Sequence, residues 1–396
     1  MELALLAALG LVALGFGFAN DDDDANVSDA ETGESASFPE TVIEGTPGGD
    51  DIVAGSDAEF IRGLDGNDTI DAGGGDDRVA GGSGADYLIG NDGADTLLGS
   101  LSNDTLLGGR GDDVLNGGFG ADNIDGGDGD DSIEGGGGAD TLFGRNGDDM
   151  LDGGAWQDEL NGGSGDDTLQ GGFGADTLSG GLGDDLLDLG ERDAVYRGNF
   201  EFADGGEGND TIFGNEGQYR LIGGAGDDEI HVSGHRDTNG DIASNVSNSV
   251  RAGSGEDTVY VRAGESDDMR ANVSIRLNDS EEFNGSIEDA ADLVVVQNEN
   301  ALISISQFQY GRETDGTRDQ IDLTDITGPD GGPITTDDMT LAFFGFENQS
   351  FAVTMETGDA GEILRFEFSQ TDLGGADPNA PDFSQDVFLR NIFMLA

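Results

Sequence analysis

Residues 108–143 read GGRGDDVLN GGFGADNID GGDGDDSIE GGGGADTLF, four nine-residue blocks that each open on Gly-Gly, carry Asp at position six and place an aliphatic at position eight. The same frame runs outward from Gly45 to Asp188 without insertion or deletion, sixteen blocks in all. Eight of them match G-G-x-G-x-D-x-U-x without a fault, U being aliphatic. Position six is Asp in fifteen of the sixteen, Glu59 being the exception, and position eight is Ile, Leu or Val throughout. A fixed internal period of this kind is read before any local motif, because it makes each block one unit of a stacked architecture.

Each column has a physical reason. Glycine tolerates φ > 0 and lets carbonyl oxygens approach a ligand, so the first half of a block makes a tight, oxygen-rich turn. The x-U-x triplet makes a short strand whose middle side chain points inward. Two blocks then form one coil of strand, turn, strand, turn, and coils stack at about 4.8 Å, so that residues 18 apart become neighbours in parallel sheets. That arithmetic places Asp50, Asp68, Asp86, Asp104, Asp122, Asp140, Asp158 and Asp176 along one edge. Glu59, Asp77, Asp95, Asp113, Asp131, Asp149, Asp167 and Asp185 fall along the other.

Carboxylates about 5 Å apart repel by roughly 3 kcal/mol at an effective dielectric near 20, so bare columns would push the coils apart. A hard divalent cation bridging carboxylates and glycine carbonyls removes that repulsion. Ca²⁺ suits such a site better than Mg²⁺, because it accepts six to eight flexible oxygen ligands while Mg²⁺ demands octahedral geometry and keeps its water.

The nonapeptide resembles the RTX (repeats-in-toxin) family over residues 45–188, with further blocks at Gly205, Gly214 and Gly223 and a lone AGSGEDTVY at Ala252. The resemblance implies calcium ions held between turns by position-six Asp and loop carbonyls, about a dozen of them if each intact pair of turns holds one. The implied ligands are the Asp columns together with Asp210 and Asp228. The implied turn glycines are Gly81, Gly84, Gly108, Gly111, Gly117, Gly120, Gly126, Gly129, Gly135, Gly138, Gly162, Gly165, Gly171 and Gly174. Asp57, Ser102 and Trp156 replace glycine at position four, and Tyr219 replaces the ligand, which predicts weak or absent calcium at those turns. The extra acids at position five, such as Asp76, Asp112, Asp130, Asp148, Asp166 and Asp184, read as hydrated charges.

The flanks read differently. Leu3 to Ala19 is apolar and precedes Asp21 to Asp24; Gly17 and Ala19 suit cleavage before Asn20, but Glu2 stands where a signal carries a basic residue. A cleaved signal, a retained anchor and neither remain open, and membrane contact is confined to residues 3–19. Residues 20–44 read as an acidic linker, 189–204 as an insertion and 205–260 as a second, broken repeat block. From 261 to 396 the stretches NVSIRL, LISISQF, MTLAFF and ILRFEF alternate with period two, which predicts an irregular or antiparallel β cap on an all-β parallel roll. ADLVVV at Ala291, ISQF at Ile305 and DQIDLTDI at Asp319 are similar to the segment after the repeats in serralysin-type secreted proteases. That likeness implies a type I secretion apparatus as partner, with Asp386, Val387, Phe388 and Leu389 in the export signal.

Composition narrows the function. The chain has 84 Asp and Glu against 16 Arg, no Lys, no Cys and a formal net charge of -68. Such a chain repels nucleic acid and anionic lipid. Missing Cys and Lys exclude thiolate metal sites, Schiff bases and a P-loop lysine. His231 and His235 are spaced as in a zincin helix, but no Glu follows the first, and no serine nucleophile elbow stands out. The expectation is a secreted, non-enzymatic calcium-binding protein. The alternatives are a polysaccharide-active hydrolase in residues 261–396 and a surface adhesin anchored by Leu3 to Ala19.

Overall fold

The computed structural model describes residues 41–190, 200–214, 218–233 and 248–262, and the strand segments 271–278, 292–296, 301–306, 320–323, 339–344, 350–357, 362–369 and 393–394. Among the described residues every regular element is a β-strand. The described strands form two sheets of 15 and 16 strands, and up to Gln320–Asp322 successive strands alternate between them. Over that run each ladder is parallel and offset by one coil, as in Asn123↔Thr141 and Ser132↔Met150. The expected 18-residue β-solenoid is the observed fold.

The strands are longer than the x-U-x triplet. Thr105–Arg110, TLLGGR, extends into the next block, and burial alternates along it. Three positions of each block therefore face inward: the Asp at six, the aliphatic at eight and the residue at position one. The aliphatics from Ile61 to Leu187 form a continuous core column, at most 3% exposed.

Three boundaries move. Residues Thr41–Glu44, read as the end of a linker, form a strand paired in parallel with Glu59–Arg62. Glu201–Glu207 continues the solenoid, with Thr177 opposite Phe202, so the insertion contracts around residues 191–199. The separation there is 25 residues rather than 18, and it becomes 29 where Arg220 meets Ser249, yet the ladder resumes each time. Extra residues between two coils cost the ladder little, because loop-closure entropy grows slowly with length.

The C-terminal strands divide. Ala271–Asn278, Leu293–Val296, Ala301–Ser306 and Gln320–Asp322 extend the parallel ladders instead of forming antiparallel hairpins. The antiparallel expectation holds for Met339–Phe344, Ser350–Thr357 and Glu362–Ser369, the last of which also pairs in parallel with Ala301–Ser306. Period-two alternation is common to both kinds of ladder and cannot tell them apart. Among the described residues no helix is long and apolar enough to cross a membrane. The segments Leu3 to Ala19 and Asp386 to Leu389 lie outside the described residues.

Candidate metal centre

The position-six carboxylates do not line the outside of the roll; they are folded into it. Asp68 through Asp185 are each at most 3% exposed, as are Asp210 and Asp228. Their Oδ1 atoms accept a hydrogen bond from the backbone N–H one coil earlier: Asp104 donates to Asp122 at 2.8 Å, Asp113 to Asp131 at 2.8 Å. The ladder crosses the first break intact, Asp185 donating to Asp210 at 2.9 Å over 25 residues.

The second oxygen has no such partner. The Oδ2 atoms of the position-six aspartates from Asp68 to Asp185, and of Asp210, Asp228 and Asp257, are buried without a hydrogen bond. A buried carboxylate oxygen left in this state is costly unless it is protonated or neutralised by a cation. Burial, together with the neighbouring aspartates, pushes these groups up: Asp95 and Asp140 to about 6, Asp113 and Asp131 to about 7, Asp158 to about 8. The backbone hydrogen bond to each works the other way, without cancelling the burial.

The glycines divide into two kinds. Most of those at positions two and four adopt positive φ, as in Gly109 (120°), Gly111 (117°), Gly127 (121°) and Gly129 (134°). Position one has a different reason. A β-carbon on Gly108 would lie 2.4 Å from Asp113 Oδ2 and 2.5 Å from the Gly126 carbonyl, so a side chain here would crowd the gap flanked by these two oxygens, although Ala72 and Ala252 stand buried at the same position of their own blocks. Gly117, Gly135 and Gly171 repeat the pattern against Asp122, Asp140 and Asp176. Gly81, Gly126 and Gly162 do so against Asp86, Asp131 and Asp167. At position four, a β-carbon on Gly84, Gly120, Gly138, Gly165 or Gly174 would strike the carbonyl of the turn below, so these carbonyls face along the stack.

The residues present fit a hard, oxygen-seeking cation. Among the described residues no three acidic or histidine side chains converge on one point. A site here is one carboxylate per turn supplemented by carbonyls, which is calcium chemistry rather than a carboxylate cage. Ser102 (φ 82°) and Trp156 (φ 96°) take up the glycine-like backbone at position four. Holding a side chain there costs of order 1–3 kcal/mol. At Tyr219 the carboxylate is lost altogether: the ring is fully buried, its N–H donates to Asn248 Oδ1 at 3.3 Å and its hydroxyl to the Ser233 carbonyl at 3.2 Å.

Two features escape the sequence reading. Asp257 and Asp292 continue the Asp113 column, Asp228 donating to Asp257 Oδ1 at 3.0 Å and Asp257 to Asp292 Oδ1 at 3.2 Å. Their signal is the D-x-U-x run in DTVY and DLVV, preceded by Gly253 and Gly255 at Asp257 but by no repeat glycines at Asp292. The position-five acids are exposed as expected but also tied down. Asp130 donates to Asp112 Oδ1 at 3.0 Å, Asp148 to Asp130 at 2.9 Å and Asp166 to Asp148 at 2.8 Å, a ladder of opposite polarity to the buried one. His231 stacks between Phe213 and Tyr260 at 4.6 Å on each side and meets Glu229 at 2.7 Å, while His235 lies outside the described residues.

Residues 53–88, 89–124, 125–155, 157–191, 200–230 and 220–238 match the family of RTX calcium-binding nonapeptide repeats, four copies to the unit. No curated protein matches the chain. Asp257 and Asp292 lie beyond the matched residues.

Proposed function

We propose that this protein, whose repeats match the RTX calcium-binding nonapeptide family, is a secreted calcium-dependent β-roll, exported by a type I apparatus and folded outside the cell. Calcium binding itself follows from the repeat family and the roll. The observation that carries the folding role is the row of buried, unpartnered Oδ2 atoms in both columns. The position-six aspartates, with carbonyls of the turn glycines, are the groups that hold calcium. When bound, the ion supplies the positive charge that the buried oxygens lack. The protein's own part is to present one oxygen per coil, fix it through the Oδ1 ladder and keep the adjacent gap clear with glycine.

Ions that bind only the folded chain stabilise it by about 2.7 kcal/mol per site at a hundredfold excess over Kd. Millimolar calcium outside a cell then favours the roll, and scarce calcium inside keeps the chain open for passage. Secretion is typical of proteins with these repeats, which supports the location proposed. The role is structural and binding rather than catalytic. Circular dichroism during a calcium titration of chelated protein tests it: the β signal should rise cooperatively with calcium. A full signal already present in chelator would overturn the folding role.

A further inference from the structure

The two turn edges of the roll differ in what they show to solvent. On the edge of Asp113, position five carries Asp112, Asp130, Asp148, Asp166 and Asp184 on successive coils. On the edge of Asp122, the same position carries Asn103, Ala121, Ala139, Gln157 and Ala175. One edge is a rail of carboxylates; the other has no acid at that position over these coils.

The edge of Asp122 is also where the exposed Leu101, Phe119, Trp156 and Phe173 stand. Leu101, Phe119, Gly137, Ala155 and Phe173 occupy position three on five successive coils, each in register with the next. Phe119 is 70% exposed, Phe173 54%, and Trp156, one residue beyond Ala155, 55%. Gly137 and Ala155 leave a low floor between aromatic walls, and Phe119 lies over that floor, 3.4 Å from where a Gly137 β-carbon would sit. Trp156 holds a left-handed backbone at a position where the turns on either side of it along this edge, at Gly138 and Gly174, keep glycine. Beside the aromatics, Phe200 and Gln157 line a shallow cleft of about 730 Å³ whose wall also carries the exposed Glu159.

We propose that Phe119, Trp156 and Phe173 form a binding platform for an uncharged polysaccharide lying along the coil stack. Charge selects the occupant. A second copy of a chain with net charge -68 is repelled, as is any anionic polymer. A cationic polymer is drawn to the carboxylate rail on the opposite edge. An uncharged sugar chain offers apolar ring faces to the aromatics and hydroxyls to groups such as Gln157, the mixture of apolar body and few polar contacts that small-molecule sites use. Two coils span roughly 10 Å, about the length of two linked hexoses. The platform goes beyond calcium binding but stands on turns that the ions hold, so its test is run in saturating calcium with the fold read separately.

Trp156 is the only tryptophan of the chain, so its emission reports on the platform directly. The full chain is titrated with hydroxyethyl cellulose, dextran and galactomannan, with dextran sulfate as the anionic control, while circular dichroism follows the roll. At least one uncharged polymer should produce a saturable blue shift that dextran sulfate does not. The double variant Phe119→Ala, Phe173→Ala should weaken it about tenfold or more, as expected for lost aromatic contacts, and leave the β signal intact. Phe119→Tyr should retain binding, as should Leu182→Ala on the opposite edge. No shift with any uncharged polymer would overturn the proposal, as would an equal response to dextran sulfate or undiminished binding by the double variant. Calcium-dependent dimerisation abolished by that variant would assign the surface to a second copy instead. Failure of the calcium reading would show separately, as a β signal indifferent to calcium.

Discussion

Asp113 shows in one residue how the repeat couples protons to calcium. Its Oδ1 is fixed by the Asp95 N–H at 2.7 Å and its Oδ2 is buried without a partner, so burial holds the carboxyl up at about 7. An unfolded Asp titrates near 4. Because the folded value is the higher one, protons favour the metal-free roll: the contribution is fully present below about pH 4 and is lost as pH rises through about 6 to 8, the values for Asp95 and Asp158. Calcium takes the deprotonated form, so its stabilisation grows over that same window. In chelator, circular dichroism should show more β structure at pH 5 than at pH 8, with the order reversed or flattened in calcium; more β structure at pH 8 in chelator would contradict the buried column. Glycine at position one is a second residue-scale matter. Gly108→Ala sets a β-carbon against Asp113 Oδ2 and should cost about 1–3 kcal/mol by overpacking. Gly137→Ala, whose β-carbon meets only the edge of Phe119 at 3.4 Å, should stay within about 0.5 kcal/mol. Denaturant midpoints of the two variants compare these directly. The repeat prints glycine at the position of Gly108 and leaves the position of Gly137 open, but it does not say whether φ or space demands the glycine it prints. The Asp columns were legible as columns, but their inward direction was not, because alternation counted from position eight reaches six and one only once the strand is known to be six residues long.

At the scale of the element, the two edges end differently. The Asp113 column runs on through Asp210, Asp228 and Asp257, whereas the Asp122 column passes from Asp176 to Glu201, Tyr219 and Asn248 in the register of the same sheet. Tyr219 closes that column with a neutral hydrogen bond and a buried ring where the other edge keeps a carboxylate. These coils are therefore held on one side by packing and on the other by whatever neutralises the aspartates. Tyr219→Phe keeps the ring and loses only the bond to the Ser233 carbonyl, so it should cost about 1 kcal/mol. Tyr219→Ala leaves a core cavity and should cost about 3–5 kcal/mol. Both should leave the calcium midpoint of the preceding coils in place, as read from circular dichroism titrations; a large midpoint shift with Tyr219→Phe would mean that the residue takes part in ion binding. The uniform nine-residue spacing made the first sixteen blocks readable to the residue. Past Asp188 the separations of 25 and 29 hide the coil from any fixed-period reading, although the strands themselves keep their alternation.

For the molecule as a whole, a net charge of -68 divides into two populations that respond to different ions. The position-five ladder and the acids on the sheet faces are exposed, so monovalent salt screens them; the Debye length falls from about 10 Å at 0.1 M to about 3 Å at 1 M. The position-six column is inside, where mobile salt does not reach, and its neighbours one coil away repel through protein rather than water. Salt and calcium are then not interchangeable. Sodium chloride raised to about 1 M in the presence of chelator should contract the unfolded chain by relieving its self-repulsion, yet leave the β signal absent. Calcium at constant ionic strength should produce both the signal and a further fall in the radius of gyration. For a chain of this length the unfolded radius is about 72 Å, against roughly 21 Å for a compact folded chain. Small-angle scattering and circular dichroism on the same samples separate the two effects. If sodium chloride alone restored the β signal, general repulsion would be the barrier to folding and the buried oxygens would be incidental. If only calcium does so, the barrier is the row of inward carboxylates, and the glycine frame that holds them one per coil is what makes the chain wait for the ion.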